Sequence, residues 1–519
     1  MAIKRYIASA DNTITNAYEE NFDTRGTGSN MGQADILEIF SMYSQQSSAS
    51  AELARTIIQF PVTTINSDRT AGTIPASGSV SFYIKLYNSE HSRTLPRDYL
   101  VTVAAITGSW AEGQGLDMEN YSDLTFDKTG SNWIKKDKIA NWHTEGGDWY
   151  TDASSSFTQR FEIGNEDLEL DITRLVEQWI NYENSVTDYN GTNLVGQKQN
   201  YGVIIKLSSS YEAVAGATDV VKSYYTKKFF ARSSEFFFER PTIEARWDSA
   251  TRDHRGNFYF SSSLAPPSDC LNNIYMYNYA RGKLRDIASN SGIVPVLHLY
   301  YASGSVPEGN PIYFRNSSNA AVNYLSASRV STGVYKASFS VTSSAINSTY
   351  PHLVDVWTIH SGNADVSLGQ VHTGSAISPN TYTFSNDNPN SKYVVTMPSL
   401  KPMYSNEQTE RFRLYVRNKN WSPNVYTKAQ STPERILIET ASYQIKRVSD
   451  NKVVIPYGTS STLHTIMSYD MSGNYFDLDM GMLEAGYSYS ISYSFYEDSI
   501  GSYIEQPYEF KIRVGKNEY

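Results

Sequence analysis

Cysteine occurs once in 519 residues, at Cys270, so no intramolecular disulfide can form and a disulfide-stapled secreted scaffold is excluded. A lone thiol of this kind reads as a small buried apolar residue. Charged residues are also few, at 19%, with a net charge of −10, and no basic stripe long enough to cover a phosphate backbone stands out. Nucleic acid is therefore not expected as a partner. No run approaches the roughly 18 apolar residues of a membrane span, and no apolar segment precedes Asp11 in MAIKRYIASAD, so neither membrane insertion nor a signal peptide is expected. Synthesis without export by a standard signal is the corresponding expectation for localisation.

The chain is equally poor in catalytic patterns. Its eight histidines give no HExxH and no HxH with a matching carboxylate. His352, His360 and His372 cluster in sequence but read as separate strand and loop residues. GTSST at 458–462 has the wrong glycines for a P-loop or a nucleophile elbow. Glu145 and Asp148 are a carboxylate pair of the kind used in glycoside hydrolysis, a role that depends on their separation across a cleft. The chain is read as not an enzyme and as needing no cofactor. Calcium is the one ion whose hard oxygen ligands are at hand, in Asp11, Asn12, Asp23 and Asp171, yet these lack the DxDxDG spacing and are read first as turn and cap residues.

What is present in quantity is aromatic: 13% of residues, including 40 tyrosines. Together with 40% hydrophobic content, this favours strands with amphipathic faces over disorder or coiled coil. In SVSFYIKLY (79–87), Val80, Phe82, Ile84 and Leu86 fall on one face and Ser81, Tyr83, Lys85 and Tyr87 on the other, as in a half-buried strand. ARTIIQF (54–60), DYLVTVAAIT (98–107), YGVIIKL (201–207) and PTIEARW (241–247) repeat the strand signal. Asp171 followed by Ile172, Leu175, Val176 and Trp179 has helical spacing with an aspartate in the capping place, predicting one short helix. Further on, VPVLHLYYA (294–302), GVYKASFSV (333–341) and HLVDVWTIH (352–360) predict a second all-β unit. RFRLYVR (411–417), ILIETASYQIKRV (436–448), YSYSISYSFY (487–496) and YEFKIRV (508–514) predict a third. The fold class is all-β, as three β-sandwiches in series at 1–250, 251–380 and 381–519. The first is jelly-roll-like with the short helix, the other two are immunoglobulin-like, and SNDNPNSK (385–392) serves as linker.

Tryptophan and paired glycines concentrate in WAEGQG (110–115), SNWIKKD (131–137) and WHTEGGDWY (142–150). With LELDITRLVEQWIN (168–181), YGVIIKL and SSEFFFERPTIEARW (233–247), and with SADNTITNAY (9–18) as a first strand, the N-terminal 250 residues resemble the disaggregatase-related, DNRLRE-type domain family. That resemblance implies a β-sandwich allied to carbohydrate-binding modules. Trp142, Trp149 and Tyr150 then become candidate sugar-stacking residues, because flat aromatic faces match the apolar faces of sugar rings; the competing reading makes them packing residues. Trp110, Trp133, Trp179 and Trp247 are read as core.

Two surfaces stand out at the C-terminal end. Arg411, Arg413, Arg417 and Lys419 line one face of a strand opposite Phe412, Leu414 and Val416, as a solvated face or as a contact for an acidic protein. Tyr489 and Tyr493, on a strand alternating Tyr with Ser, are candidate interface residues whose replacement by Ser would weaken assembly more than folding. Serial sandwiches, scarce cysteine and no catalytic constellation lead to the expectation of a phage virion component of neck, tail, baseplate or fibre type. Its partners would be other virion proteins, further copies of itself in a symmetric assembly and host-surface glycan. The alternative is a bacterial carbohydrate-binding or adhesion protein.

Overall fold

The computed structural model describes all residues except 1, 20, 44–50, 91–94, 117–129, 187–195, 213–222, 263–264, 288–292, 344–349, 362–366, 381–392, 422–424, 426–434, 460–461, 499 and 517–519. The fold is all-β, 44% strand and 8% helix, built largely from antiparallel sheets. Two compact units carry it: Ala2–Asp248 with Thr462–His464, and Ser249–Ser461 with Thr465–Tyr519. The expected linker at 385–392 lies outside the described residues.

In the first unit one sheet has the order β1 (Ile3–Ile7), β11 (Thr242–Arg246), β5 (Ser81–Leu86), β8 (Leu168–Asp171). The facing sheet has the order β10 (Tyr224–Phe230), β3 (Ile36–Tyr43), β4 (Ala51–Gln59), β9 (Val203–Leu207), β6 (Tyr99–Ala105), β7 (Ser156–Phe161), with β2 (Ala10–Thr15) paired to β4. Between them lies a core in which Phe82, Ile84 and Leu86 of β5 meet Val101, Val103, Val203 and Ile205, all fully buried. The period-two pattern of β5 thus places its apolar set inward as the alternation requires.

Two helices close this core, where the sequence led us to expect one. The helix after β8 runs Thr173–Glu183 (α2), starting one residue later than Asp171 in the capping place would give; Asp171 still accepts the Thr173 N–H at 2.9 Å, satisfying one of the free donors at that end. The unexpected helix, Val62–Thr70 (α1), has almost no amphipathic signal because only Val62 and Ile65 are buried. It is held by pairing: Arg69 makes a two-pronged contact with Glu177 of α2 at 2.7 and 2.6 Å, and Asn66 pairs with Asn184. Tertiary contact rather than periodicity stabilises such a short helix.

In the second unit, strands Asn272–Tyr277, Val334–Phe339 and Ser328–Ser331 form one sheet, while Ile293–Ala302, His352–Ser361 and Ser367–Thr373 build another. Phe258, Leu297, Leu299, Phe339, Leu353 and Trp357 fill the space between them. A further pair of sheets follows. One contains Tyr393–Thr396, Thr409–Asn418, Gly473–Asp479 and Ser468–Asp470; the other centres on Ser488–Glu497, flanked by Ala441–Arg447 and Phe510–Gly515.

Residues 251–257 belong to both sets. Thr251 and Asp253 exchange backbone hydrogen bonds with Tyr469, and the Tyr469 hydroxyl meets His254 Nε2 at 2.8 Å. Burial pushes the His254 imidazole down to about 4, so the ring is neutral; its Nδ1 accepts the Asn273 N–H at 2.7 Å, which places the proton on Nε2. Arg255 bridges Asp253 and the fully buried Asp355 at 2.6 Å each. This short segment ties the two pairs of sheets into one compact unit.

Candidate functional site

The tryptophan-rich stretch lies over the outer face of the larger sheet of the first unit. Ile57 of β4 is in register with Ile204 of β9, which is in register with Ala104 of β6, and all three point away from the main core. Sequences such as TIIQF and VIIKL are apolar at consecutive positions because both faces of their strands are covered. Trp133 and Trp142 complete this second core with Ile14, Leu53 and Ile106.

The geometry corrects the reading of Trp142 as a sugar-stacking residue. Trp142 is only 5% exposed, and its Nε1 donates to the Asn132 carbonyl at 2.9 Å. Trp149 is half-buried, with the Arg55 guanidinium 5.0 Å from its ring and Lys206 at 5.3 Å. Arg55 also lies over Trp133 at 4.9 Å, donates to the Gly146 carbonyl at 2.8 Å and grips Glu212 with both prongs at 2.7 and 3.0 Å. Lys206 completes the ion cluster on Glu212. Tyr150 is half-buried against the main core with Lys198 at 4.5 Å from its ring. A buried cation needs a partner, and here the aromatic rings and Glu212 supply it.

The glycine pair has a specific job in this arrangement. Gly146 has φ +85°, and a Cβ there would stand 2.5 Å from Arg55 Nη1 and 2.7 Å from the Trp133 ring. Asp148 accepts the His143 and Thr144 N–H groups at 2.7 and 2.8 Å, shaping the turn. The WHTEGGDWY motif is thereby explained by packing.

Among the described residues, no group of three or more His, Cys, Asp or Glu is placed to hold a metal ion. Asn12 is engaged with Ser131 and with the Met31 N–H, Asp23 sits exposed in a surface turn and Asp171 serves α2. Asp11 is different. It is fully buried; one carboxylate oxygen accepts the Arg232 N–H at 2.5 Å, while Oδ1 has no hydrogen-bond partner. The Arg232 guanidinium is directed instead at Glu112, at 2.8 Å. Burial, with the like charge of Glu112, raises the Asp11 carboxyl to about 7.

The sign of this shift sets a prediction. An unfolded aspartate ionises near 4, so between about pH 4 and 7 the native state holds a proton that the unfolded state has lost, and stability falls as pH rises through that window. Asp11→Asn removes the titration. Thermal melts at pH 5 and pH 8 should show the variant gaining on the wild type at the higher pH; a variant-minus-wild-type difference that is flat with pH would refute it.

Of the C-terminal candidates, the tyrosines are corrected. Tyr489 and Tyr493 are 1% and 0% exposed, so the tyrosine face of their strand is core and not an interface. The reason is the strand's central place in its sheet, between Ala441–Arg447 and Phe510–Gly515, with both faces covered. Arg411 and Arg413 reach solvent, as a solvated face requires, and each holds a carboxylate of this chain. Arg411 takes Asp477 at 2.7 and 2.9 Å, Arg413 takes Asp470 at 2.9 and 2.7 Å, and both stack on Tyr475. Of the histidines, His360 is buried and packs on His298, ring centres 5.9 Å apart, while His352 meets Ser378.

Sequence reasoning missed a cleft of about 590 Å³ in the second unit. Asn257, Tyr259, Tyr393, Glu439, Tyr496 and Asp498 line it. They lie up to 241 positions apart and share no motif, so only folding brings them together.

No family model matches the chain, and no curated protein matches it. Among solved structures, a DUF4785 family protein from Legionella pneumophila aligns over 98% of this chain and 89% of its own, at 6% identity and a TM-score of 0.13. Trypsin-activated alpha-2-macroglobulin from Escherichia coli aligns over 84% of this chain and 30% of its own, at 8% identity and a TM-score of 0.15. The native form of E. coli alpha-2-macroglobulin aligns over 98% and 34%, at 9% identity and a TM-score of 0.14. The chain thus spans about a third of the length of the macroglobulin chains. Likenesses at these scores carry no argument about function.

Proposed function

We propose that this chain is a non-enzymatic structural component of a phage virion, of neck, tail, baseplate or fibre type, in which serial β-sandwiches act as spacers and docking modules. The observation that carries this reading is how its sheets are braced. Where a secreted sandwich of this size would use disulfides, this chain uses buried ion networks. Glu244 is gripped by Arg5 at 2.8 Å and by Arg246 at 2.5 Å, Arg246 continues to Glu169, and Arg255 links Asp253 to Asp355. Such bracing requires no oxidising compartment, which suits a protein folded and assembled inside a reducing host cell.

Purified particles from the source lysate provide the test, by mass spectrometry for this polypeptide together with electron microscopy and antibody labelling of the C-terminal unit. A fixed copy number at one location on the particle is the expected result. Recovery of the protein only in the particle-free fraction would overturn the proposal.

A further inference from the structure

Strand β10 carries a lysine on its inward face. The pairing of β10 with β3 shifts between Tyr224 and Lys227, a bulge that puts Lys227 on the same face as the core residue Phe229. Lys227 is 2% exposed, and its Nζ lies 5.1 Å from the centre of the Phe161 ring and 4.9 Å from that of Phe229. Nζ donates to Asn88 Oδ1 and to the carbonyls of Gly164 and Glu166, the last two at 3.1 and 2.9 Å.

Asn88, just after β5, is fixed along its backbone at the same place. It forms an antiparallel bridge with Phe229, its N–H donates to the Asp167 carboxylate at 2.7 Å, and the next N–H, of Ser89, donates to the Lys228 carbonyl at 3.1 Å. The amine of one side chain is therefore held in contact with the carboxamide of the other by two anchored strands, the arrangement in which proximity lowers the barrier to reaction. Burial lowers the Lys227 ammonium to about 7 against the opposing pull of Asp167 and Glu166, so the neutral, nucleophilic amine is populated near neutral pH.

We infer that Lys227 and Asn88 join in an intramolecular isopeptide bond. The unprotonated Nζ adds to Asn88 Cγ; the Nζ–Cγ bond forms, the Cγ–Nδ2 bond breaks, and one proton passes from Nζ to the departing nitrogen, which leaves as ammonia. No oxidant is consumed. The bond ties residues 139 positions apart and joins β10 of the larger sheet to the chain leaving β5 of the smaller, a covalent staple between the two sheets in a chain whose lone cysteine allows no disulfide. It forms within the isolated full-length protein, so its test is independent of the particle reading.

Intact-mass spectrometry of the purified full-length protein, with removal of Met1 accounted for, should find it one ammonia lighter than its sequence. Proteolytic digestion should release a single branched peptide that contains both Asn88 and Lys227. Lys227→Arg and Asn88→Ala should each restore the full sequence mass and separate the two peptides. The wild-type peptide map decides the matter even where a variant fails to fold. An intact mass equal to that of the sequence, recovery of the Asn88 and Lys227 peptides only as separate linear species, or loss of ammonia that persists in Lys227→Arg would each overturn the inference.

Discussion

Glu244→Gln is expected to destabilise the first unit by about 3 to 5 kcal/mol, the usual cost of removing one partner from a buried ionic group. Glu244 is 1% exposed on the central strand β11, directly opposite Arg5 of β1 and two residues from Arg246 on the same face. It accepts from Arg5 Nε at 2.8 Å and from Arg246 Nε and Nη2 at 2.9 and 2.5 Å. Burial alone would raise its pKa. Arg5, Lys85 and Arg246 outweigh that and hold the carboxyl well below the usual carboxylate range.

A neutral amide at 244 removes the carboxylate that Arg5 and the buried Lys85 and Arg246 share, leaving Glu169, which reaches Arg246 at 2.7 Å and Lys85 at 3.6 Å, to offset the two buried cations. Because the native pKa is depressed, the stabilisation is present above the unfolded value near 4.3 and is lost as pH falls below it. Urea unfolding at neutral pH should show the loss, and hydrogen exchange should place it in β1, β5 and β11. A change under about 1 kcal/mol would mean that water or rearranged side chains compensate the cations, and the bracing argument would fail with it.

Tyr493→Ser should cost a comparable amount, about 3 to 5 kcal/mol, by the large-to-small rule for buried aromatics. Tyr493 is fully buried, in register with Tyr443 on the neighbouring strand, and packs on Phe476 and Phe510 at ring separations of 6.4 and 5.9 Å. Its hydroxyl lies 3.0 Å from Met397 Sδ. Serine would empty most of that volume and strand a hydroxyl in an apolar space. The effect should appear as a lowered melting temperature and as faster exchange in 441–447 and 488–497. Tyr487, just before this strand, is 38% exposed, so Tyr487→Ser should leave both unchanged. Equal, small effects at 487 and 493 would restore the interface reading.

The contrast between these tyrosines shows how far the sequence could be read. Alternation along 487–496 placed Tyr489, Ile491, Tyr493 and Phe495 on one face, and they do share it. Alternation says nothing about whether the opposite face is wet, and here Ser490, Ser492 and Ser494 are buried as well. Around β5 the apolar set Val80, Phe82, Ile84 and Leu86 was legible as core, whereas Lys85 was expected on a solvated face and lies buried beside Glu244. The helix at 173–183 was legible because Leu175, Val176 and Trp179 repeat at its period. The one at 62–70 was not, since Arg69 and Asn66 hold it through partners more than 100 residues away.

By itself, then, the sequence determined the all-β class and which side chains share a strand face, since both follow from local backbone geometry. Tertiary structure alone decided the rest. It determined that Trp142 is buried in a second core, that Arg411 and Arg413 meet carboxylates of their own chain, and that Asn257, Glu439 and Asp498 converge on one cleft. These depend on what covers each face, and the covering groups come from distant parts of the chain that no local pattern encodes.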